Sequence, residues 1–287
     1  MPVTMLAEPV VVLGAAGMLG RATLAELDRR GVNHRGLGRS QVDLARPETL
    51  AAGVPRGTGS VINCAGWTNV DAAETQEAEA TAVNGRGVGE LAARCKEIGA
   101  LLVHYSTDYV FAGQASAPYV TDQPRAPLNA YGRSKAVGEE LLEQSGARHL
   151  LLRTSWVYAP WGKNFVRTIA RLAGQRPSLS VVNDQLGRPS SAEQIARVTF
   201  ELMRGDAVGT LHVSDEGQCT WFEFAQAIVA QTGAACRVEP CSSAQFPSPA
   251  VRPSYSVLDL SRTLQRVPDI RPWQECLADV LRRLEPF

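Results

Sequence analysis

The chain has 287 residues, 45% of them hydrophobic and 20% charged, with 29 basic side chains against 29 acidic ones. That composition can bury a substantial core, and zero net charge gives no global attraction to nucleic acid or a membrane surface. No apolar run reaches the ~20 residues a membrane span needs. The opening stretch, Met1 to Val12, has no basic leader before its first strand, so no signal peptide is expected. The six cysteines have no Cys-x-x-Cys spacing and the four histidines lie beside apolar stretches; they read as packing residues of a reduced, cytoplasmic protein rather than metal ligands.

Taken in order, Glu8 to Leu13 is a short apolar run suited to a buried parallel strand. It breaks at Gly14-Ala15-Ala16-Gly17-Met18-Leu19-Gly20, and a helical pattern follows through Ala22, Leu24, Ala25 and Leu27. At such a turn Gly14 permits the tight bend, Gly17 lets the backbone approach a pyrophosphate, and Gly20 allows close packing of helix on sheet. The helix start, with Met18 and Leu19, would offer free N–H groups and a partial positive charge to the phosphates. The second strand is expected over Asn33 to Leu37, followed by Arg39. An acidic residue there would favour NAD, whereas an arginine pairs with a 2′-phosphate. NADPH is therefore the expected cofactor, with NADH acceptance left open; the alternative is a solvated loop arginine.

Ser60 to Gly66 reads as a buried strand running into a small-residue turn, where a cofactor can lie against Ala65, Gly66 and Trp67. Helical spacing runs from Glu77 to Ile98 and carries Asn84, which suits an asparagine bridging two backbones. Leu101 to Thr107 is the next strand and delivers a hydroxyl at its carboxyl end. A helix reaching to about Ser145 then presents Tyr131 and Lys135, which are neighbours at i and i+4. A phenol has a reference pKa of about 10, and a nearby ammonium favours its ionised form. Alone, Tyr-x-x-x-Lys is a common surface pair; its place after a strand ending in Ser106-Thr107 gives it weight. His149 to Arg153 is a further strand. This alternation implies an α/β fold, a Rossmann-type doubly wound parallel sheet over residues 1–155, with 191–214 packing back on it. A smaller C-terminal α/β substrate-binding region is expected over 156–287, with helices from Phe165 to Gly174, from Ala192, from Trp221 to Thr232 and from Pro272 to Leu284, and a short strand from Gly209 to Val213.

Ser106-Thr107-Asp108-Tyr109-Val110-Phe111 followed by Tyr131-Gly132-Arg133-Ser134-Lys135-x-x-Gly138-Glu139 resembles the extended short-chain dehydrogenase/reductase family, most of all its dTDP-4-dehydrorhamnose reductases. Val61 to Ala65, Arg153 to Tyr158, Asp184-Gln185-x-Gly187-x-Pro189-Ser190 and Arg252-Pro253-x-x-Ser256-x-Leu258-Asp259 extend the likeness, in the expected order, over nearly the whole chain. The resemblance implies NADPH-dependent reduction of a nucleotide-linked 4-keto-6-deoxysugar, with Thr107 and Tyr131 catalytic and Lys135 holding ribose. It sets Asp43 and Leu44 beside the adenine, Tyr105, Tyr131 and Lys135 at the cofactor, and Asn84 at the active-site edge, with bridging two backbones its equal alternative. Thr107, Asp108 and Trp156 fall near the nucleotide-sugar substrate, although Trp156 could equally be a core aromatic. Some members bind magnesium through glutamates at a dimer contact; Glu193 fits one such position, but Ala22 stands where the first-helix glutamate would be. No metal is assigned, and the state is monomer or homodimer. Dehydratases carry Glu after the Thr-Asp, where Tyr109 stands here. The rival readings are a non-catalytic NADP-binding regulatory subunit, like that of methionine adenosyltransferase, and a related sugar-nucleotide ketoreductase.

Overall fold

A computed structural model describes residues 6–285; Met1 to Met5, part of the stretch read as lacking a leader, lie outside the described residues. The first half alternates strands and helices: β1 (Val10–Leu13), α1 (Met18–Arg29), β2 (His34–Leu37), α2 (Leu50–Gly53), β3 (Ser60–Asn63), α3 (Val70–Ala73), α4 (Glu77–Thr81), α5 (Gly87–Ile98), β4 (Leu101–Thr107), α6 (Ala130–Ser145) and β5 (His149–Thr154). There follow β6 (Val157–Tyr158), α7 (Phe165–Ala173), β7 (Ser178–Val182), β8 (Leu186–Gly187), β9 (Ser190–Ser191), α8 (Ala192–Arg204) and β10 (Gly209–His212). The chain closes with β11 (Cys219–Thr220), α9 (Trp221–Thr232), β12 (Arg237–Cys241), α10 (Ser261–Leu264) and α11 (Trp273–Arg282).

Six strands pair in the order β10-β5-β4-β3-β1-β2, all in parallel, the doubly wound sheet expected from the alternation. Its strands are buried on both faces, so each reads as an unbroken apolar run. Val10, Val12, Val103 and Tyr105 face α1 and α8 in one core, with Leu27, Ile195 and Val198. Val11, Val61, Leu102 and Leu151 face α5 and α6 in the other, with Val88, Leu91 and Leu142. A third cluster holds α7, α9 and α11 together through Val166, Phe224, Ile228 and Leu277. The sheet and its order reversal between β1 and β3 open a crevice at the strands' carboxyl ends. β4 pairs with β3 only as far as Asn63↔His104. It continues against β5 to Thr107↔Thr154, so Tyr105, Ser106 and Thr107 overhang that crevice.

Two elements differ from the sequence pattern. The helical run from Glu77 to Ile98 contains a π-helical turn at Ala82–Arg86, a form frequent at functional sites. There α6 presses in so closely that a Cβ at Gly138 would lie 2.0 Å from the Asn84 carbonyl oxygen. β12 pairs in parallel with β7, yet Arg237-Val238-Glu239-Pro240-Cys241 carries a proline and no apolar alternation, as an edge strand may. All six cysteines are unpaired. Among the described residues no helix is long and apolar enough to cross a membrane.

Beneath the site, α6 is tied to β5 by a buried ion pair. Arg153 donates from Nε to Glu139 Oε1 (2.9 Å) and from Nη2 to Oε2 (2.7 Å), and from Nη1 to the Thr121 carbonyl (2.8 Å). Burial opposes ionisation of the Glu139 carboxyl, but Arg153, Ser106 and Arg125 outweigh it and hold the group below its usual 4.5. A carboxylate so depressed contributes stability that is present above that value and is lost as pH falls through the folded-state value. Glu139→Gln should therefore cost about 3–5 kcal/mol at pH 7, the usual result of stranding one partner of a buried pair. Denaturant unfolding should show the gap to wild type narrowing below pH 4.5; a pH-independent gap would mean that packing, not charge, is lost.

Candidate active site

The turn after β1 is built by backbone approach. Gly14 has a left-handed φ of 72°, and a Cβ there would lie 2.6 Å from Ala65 N, the residue that follows β3 by two. At Gly20 a Cβ would lie 2.2 Å from the Gly14 carbonyl oxygen, whereas at Gly17 the nearest atom is 3.2 Å away. Gly17 is the N-cap of α1 and no side chain caps that helix, so its first N–H groups remain available to an anion. Met18 is pinned by a loop from the second half: Trp161 Nε1 donates to the Met18 carbonyl (3.2 Å). Leu19 packs into the sheet core. The Arg39 side chain is 83% exposed with Nε 3.3 Å from Asp43 Oδ2, leaving its other guanidinium nitrogens toward solvent. Partial burial works against the Asp43 charge, but the Ala45 N–H and Arg39 prevail and keep its carboxyl below the usual range. Leu44 is buried in the core beside α5.

The next walls come from β3, β4 and α6. A Cβ at Gly66 would lie 3.1 Å from Asn84 Oδ1 and 3.2 Å from Lys135 Nζ, so a hydrogen there keeps open a small cradle floored by an amide and an amine. Asn84 accepts from Trp67 N (2.8 Å) and donates to the Trp67 carbonyl (3.0 Å) and Ser134 Oγ (3.0 Å); it ties the backbone of Trp67 to a side chain of α6. Lys135 is buried and donates to the Tyr105 carbonyl (3.0 Å). The Tyr105 phenol points the other way, into the core, where it donates to Thr199 Oγ1 (2.9 Å). Alternation along β4 dictates this, so Tyr105 meets the site through its carbonyl.

Asn129 caps α6 by accepting from Gly132 N (2.8 Å), which sets Tyr131 in the first turn and Lys135 one turn on. Thr107 Oγ1 donates to Asp108 Oδ1 (2.8 Å) and accepts from Tyr109 N (3.2 Å). Burial, and then the Asp108 charge, push the Tyr131 phenol above its ordinary value, while a hydrogen bond with the Thr107 side chain works the other way. Burial pushes the Lys135 amine down to about 8, with Glu139 opposing. It raises Asp108 to about 6 against hydrogen bonds from Ser256 and Thr107. The expectation that Lys135 depresses the phenol is not met in this structure. The groups that set the phenol's proton affinity are burial, Asp108 and Thr107, while the Lys135 amine is engaged by a carbonyl.

Trp156 follows β5 with a left-handed φ of 45°, rare for a bulky residue. Its indole stacks on Trp221 with centroids 3.5 Å apart. A Cβ at Gly187 would lie 2.6–2.9 Å from three of its ring atoms. The indole thus packs closely at the margin of the third cluster, half-buried. Trp221 escaped the sequence reading because nothing local marks a residue at the start of an ordinary capped helix as the partner of one 65 positions earlier.

The model of the RmlD substrate binding domain family matches residues 8–285. The chain belongs to that family. A dTDP-4-dehydrorhamnose reductase of Burkholderia thailandensis is 43% identical over 87% of this chain and 89% of its own. A dTDP-4-keto-6-deoxy-D-glucose reductase of Streptomyces niveus is 38% identical over 93% and 94%. The dTDP-4-dehydrorhamnose reductase of Bacillus anthracis, solved in complex with NADP, superposes with a TM-score of 0.90 at 32% identity, covering 96% of this chain and 99% of that one. This family member is an oxidoreductase of the dTDP-4-dehydrorhamnose reductase type.

At the position where the resemblance allowed a magnesium-binding glutamate, both Glu193 oxygens accept from Arg283, at 2.7 and 2.5 Å, and Ala22 offers no ligand atom. The glycine turn after β1 offers a direct test of this geometry. Gly14→Ala must both leave the left-handed region and push back the Ala65 backbone, so it should lower stability by at least about 1–3 kcal/mol. Thermal unfolding measures this, and a variant as stable as wild type would show that the turn can relax.

Proposed function

We propose that the protein is an NADPH-dependent ketoreductase of a nucleotide-linked 4-keto-6-deoxysugar, with dTDP-4-dehydro-L-rhamnose as substrate and dTDP-L-rhamnose as product, acting in the cytoplasm. The observation that carries this is the meeting of Thr107, Tyr131 and Lys135 at the overhanging end of β4, beside the Gly66 cradle. The glycine turn, the bare start of α1 and the exposed Arg39 guanidinium suit a dinucleotide with a 2′-phosphate. When bound, reduced nicotinamide supplies the hydride for the carbonyl carbon. Tyr131 gives its proton to the carbonyl oxygen, so hydride and proton together make the alcohol. Its raised proton affinity keeps it protonated until that oxygen gains charge. Thr107 Oγ1, which lies beside the Tyr131 phenol, turns from Asp108 to donate to the same oxygen. Lys135 holds a ribose hydroxyl and, being charged below about 8, adds positive charge near the developing oxyanion. Tyr109, standing where dehydratases carry a glutamate, supplies no second acid–base group.

Turnover of NADPH with the 4-keto sugar nucleotide, and NMR of the product, test the assignment. Saturable NADPH binding without turnover would favour the regulatory-subunit reading, and a D-sugar product the activity named for the Streptomyces niveus relative. Tyr131→Phe should fold and bind NADPH normally while turnover falls by about 10²–10⁴-fold. Lys135→Met should be at least as severe and should also weaken NADPH, whereas Thr107→Val should cost about ten- to a hundredfold. Tyr131→Phe turnover within a few-fold of wild type would remove Tyr131 as the acid.

The cofactor preference has its own test. A charge-assisted phosphate contact contributes roughly 1.5–3 kcal/mol, so Arg39→Ala should reduce the NADPH-over-NADH selectivity by about tenfold or more. Equal losses for both cofactors would make Arg39 merely a structural partner of Asp43.

A further inference from the structure

The Tyr131 ring is half-buried and packs against another tyrosine. Tyr109 meets it edge to face, with centroids 5.8 Å apart and planes at 76°. Tyr109 sits in the short turn Asp108–Val110, which Thr107 caps, so this ring and the Thr107 hydroxyl hang from the same piece of backbone. The Arg252 guanidinium lies beside the Tyr109 hydroxyl. Arg252 Nη2 in turn donates to Asp71 Oδ2 at 2.9 Å, and Asp71 Oδ1 accepts from Ala250 N at 3.3 Å. One carboxylate on α3 therefore holds both the backbone and the guanidinium of the Ala250–Arg252 segment. That segment also grips the helix bearing Tyr131, since Asn129 donates from Nδ2 to the Val251 carbonyl (2.8 Å) while its Oδ1 caps α6.

We infer that Arg252 is a positioning residue for the Tyr131 phenol, acting through Tyr109 and held in place by Asp71. The inference rests on the reading of Tyr131 as proton donor given above. A phenol on a half-buried ring can swing about two side-chain bonds, and a proton donor displaced by about 1 Å loses much of its effect. The edge-to-face contact fixes the plane of the Tyr131 ring, and the Arg252 guanidinium beside its hydroxyl steadies the Tyr109 ring that does so. The Asp71 and Arg252 side chains are 40% and 26% exposed. Ion pairs so close to solvent add little stability, so this chain of contacts should matter for geometry far more than for the folding equilibrium.

The test compares Tyr109→Phe, which keeps the ring and removes the hydroxyl, with Arg252→Gln, Asp71→Asn and the Tyr109→Phe/Arg252→Gln double variant. Steady-state kinetics with NADPH and the 4-keto sugar nucleotide are read beside thermal unfolding. Each single variant should lower kcat by roughly tenfold with KM and Tm near wild type. The double variant should be no worse than the poorer single one, because residues acting in series are not additive. Arg252→Lys should restore part of the loss. Multiplying losses in the double variant, or an unchanged kcat, would overturn the inference. So would a raised KM at constant kcat for Arg252→Gln, which would make Arg252 a direct substrate contact. Wild-type enzyme without turnover would overturn the proposed function itself, and this inference with it; wild-type turnover with any of the other outcomes overturns the inference alone.

Discussion

The depth at which α6 is seated governs everything at this site. Gly132 and Gly138 flank the helical turn that carries Lys135, and a Cβ at either would lie 2.2 Å from the Tyr109 carbonyl oxygen or 2.0 Å from that of Asn84. No side chain of any size can stand between these backbones. Because the helix sits so close, the Lys135 amine reaches the Tyr105 carbonyl, Asn84 reaches Ser134, and the Tyr131 ring reaches Tyr109. The buried Arg153–Glu139 pair then fastens the same helix to β5 from below. The π-helical turn around Asn84 is the backbone's accommodation to that pressure.

Close seating also sets the electrostatics. Three ionisable groups are drawn out of water together, and burial moves each toward its neutral form. The phenol rises above 10, the amine falls to about 8 and the Asp108 carboxyl rises to about 6. At neutral pH the phenol stays protonated, and the amine and carboxyl largely keep opposite charges. A proton donor and a cation one turn apart on α6, and an anion on the turn after β4, therefore share a small volume.

Much of this was legible in the sequence because it is local. Buried parallel strands show as apolar runs, the glycine turn after β1 and the Tyr131–Lys135 spacing each lie within seven residues, and together they gave the doubly wound fold correctly. What escaped depends on pairs far apart in the chain. Nothing near Arg252 marks it as a partner of Asp71 and Tyr109, nor Trp221 as the partner of Trp156. The resemblance set Tyr105 at the cofactor, but only the fold shows that its ring turns into the core and its carbonyl toward Lys135. β12 was missed because a strand that borrows its order from one neighbour needs no apolar alternation of its own.

The return of α8 and β10 to the first half bears on how the protein is made. Residues before 155 contain five of the sheet's strands, yet one face of that sheet is covered by Ile195, Val198 and Leu202, and its outer edge is closed by β10. A nascent chain that has emerged only as far as β5 therefore exposes a bare apolar wall and an unpaired strand edge, the surfaces through which partly made proteins aggregate. Synthesis must pass Arg204 before the wall is covered and His212 before the edge is. The two halves of the sequence thus mature as one cooperative unit rather than in turn.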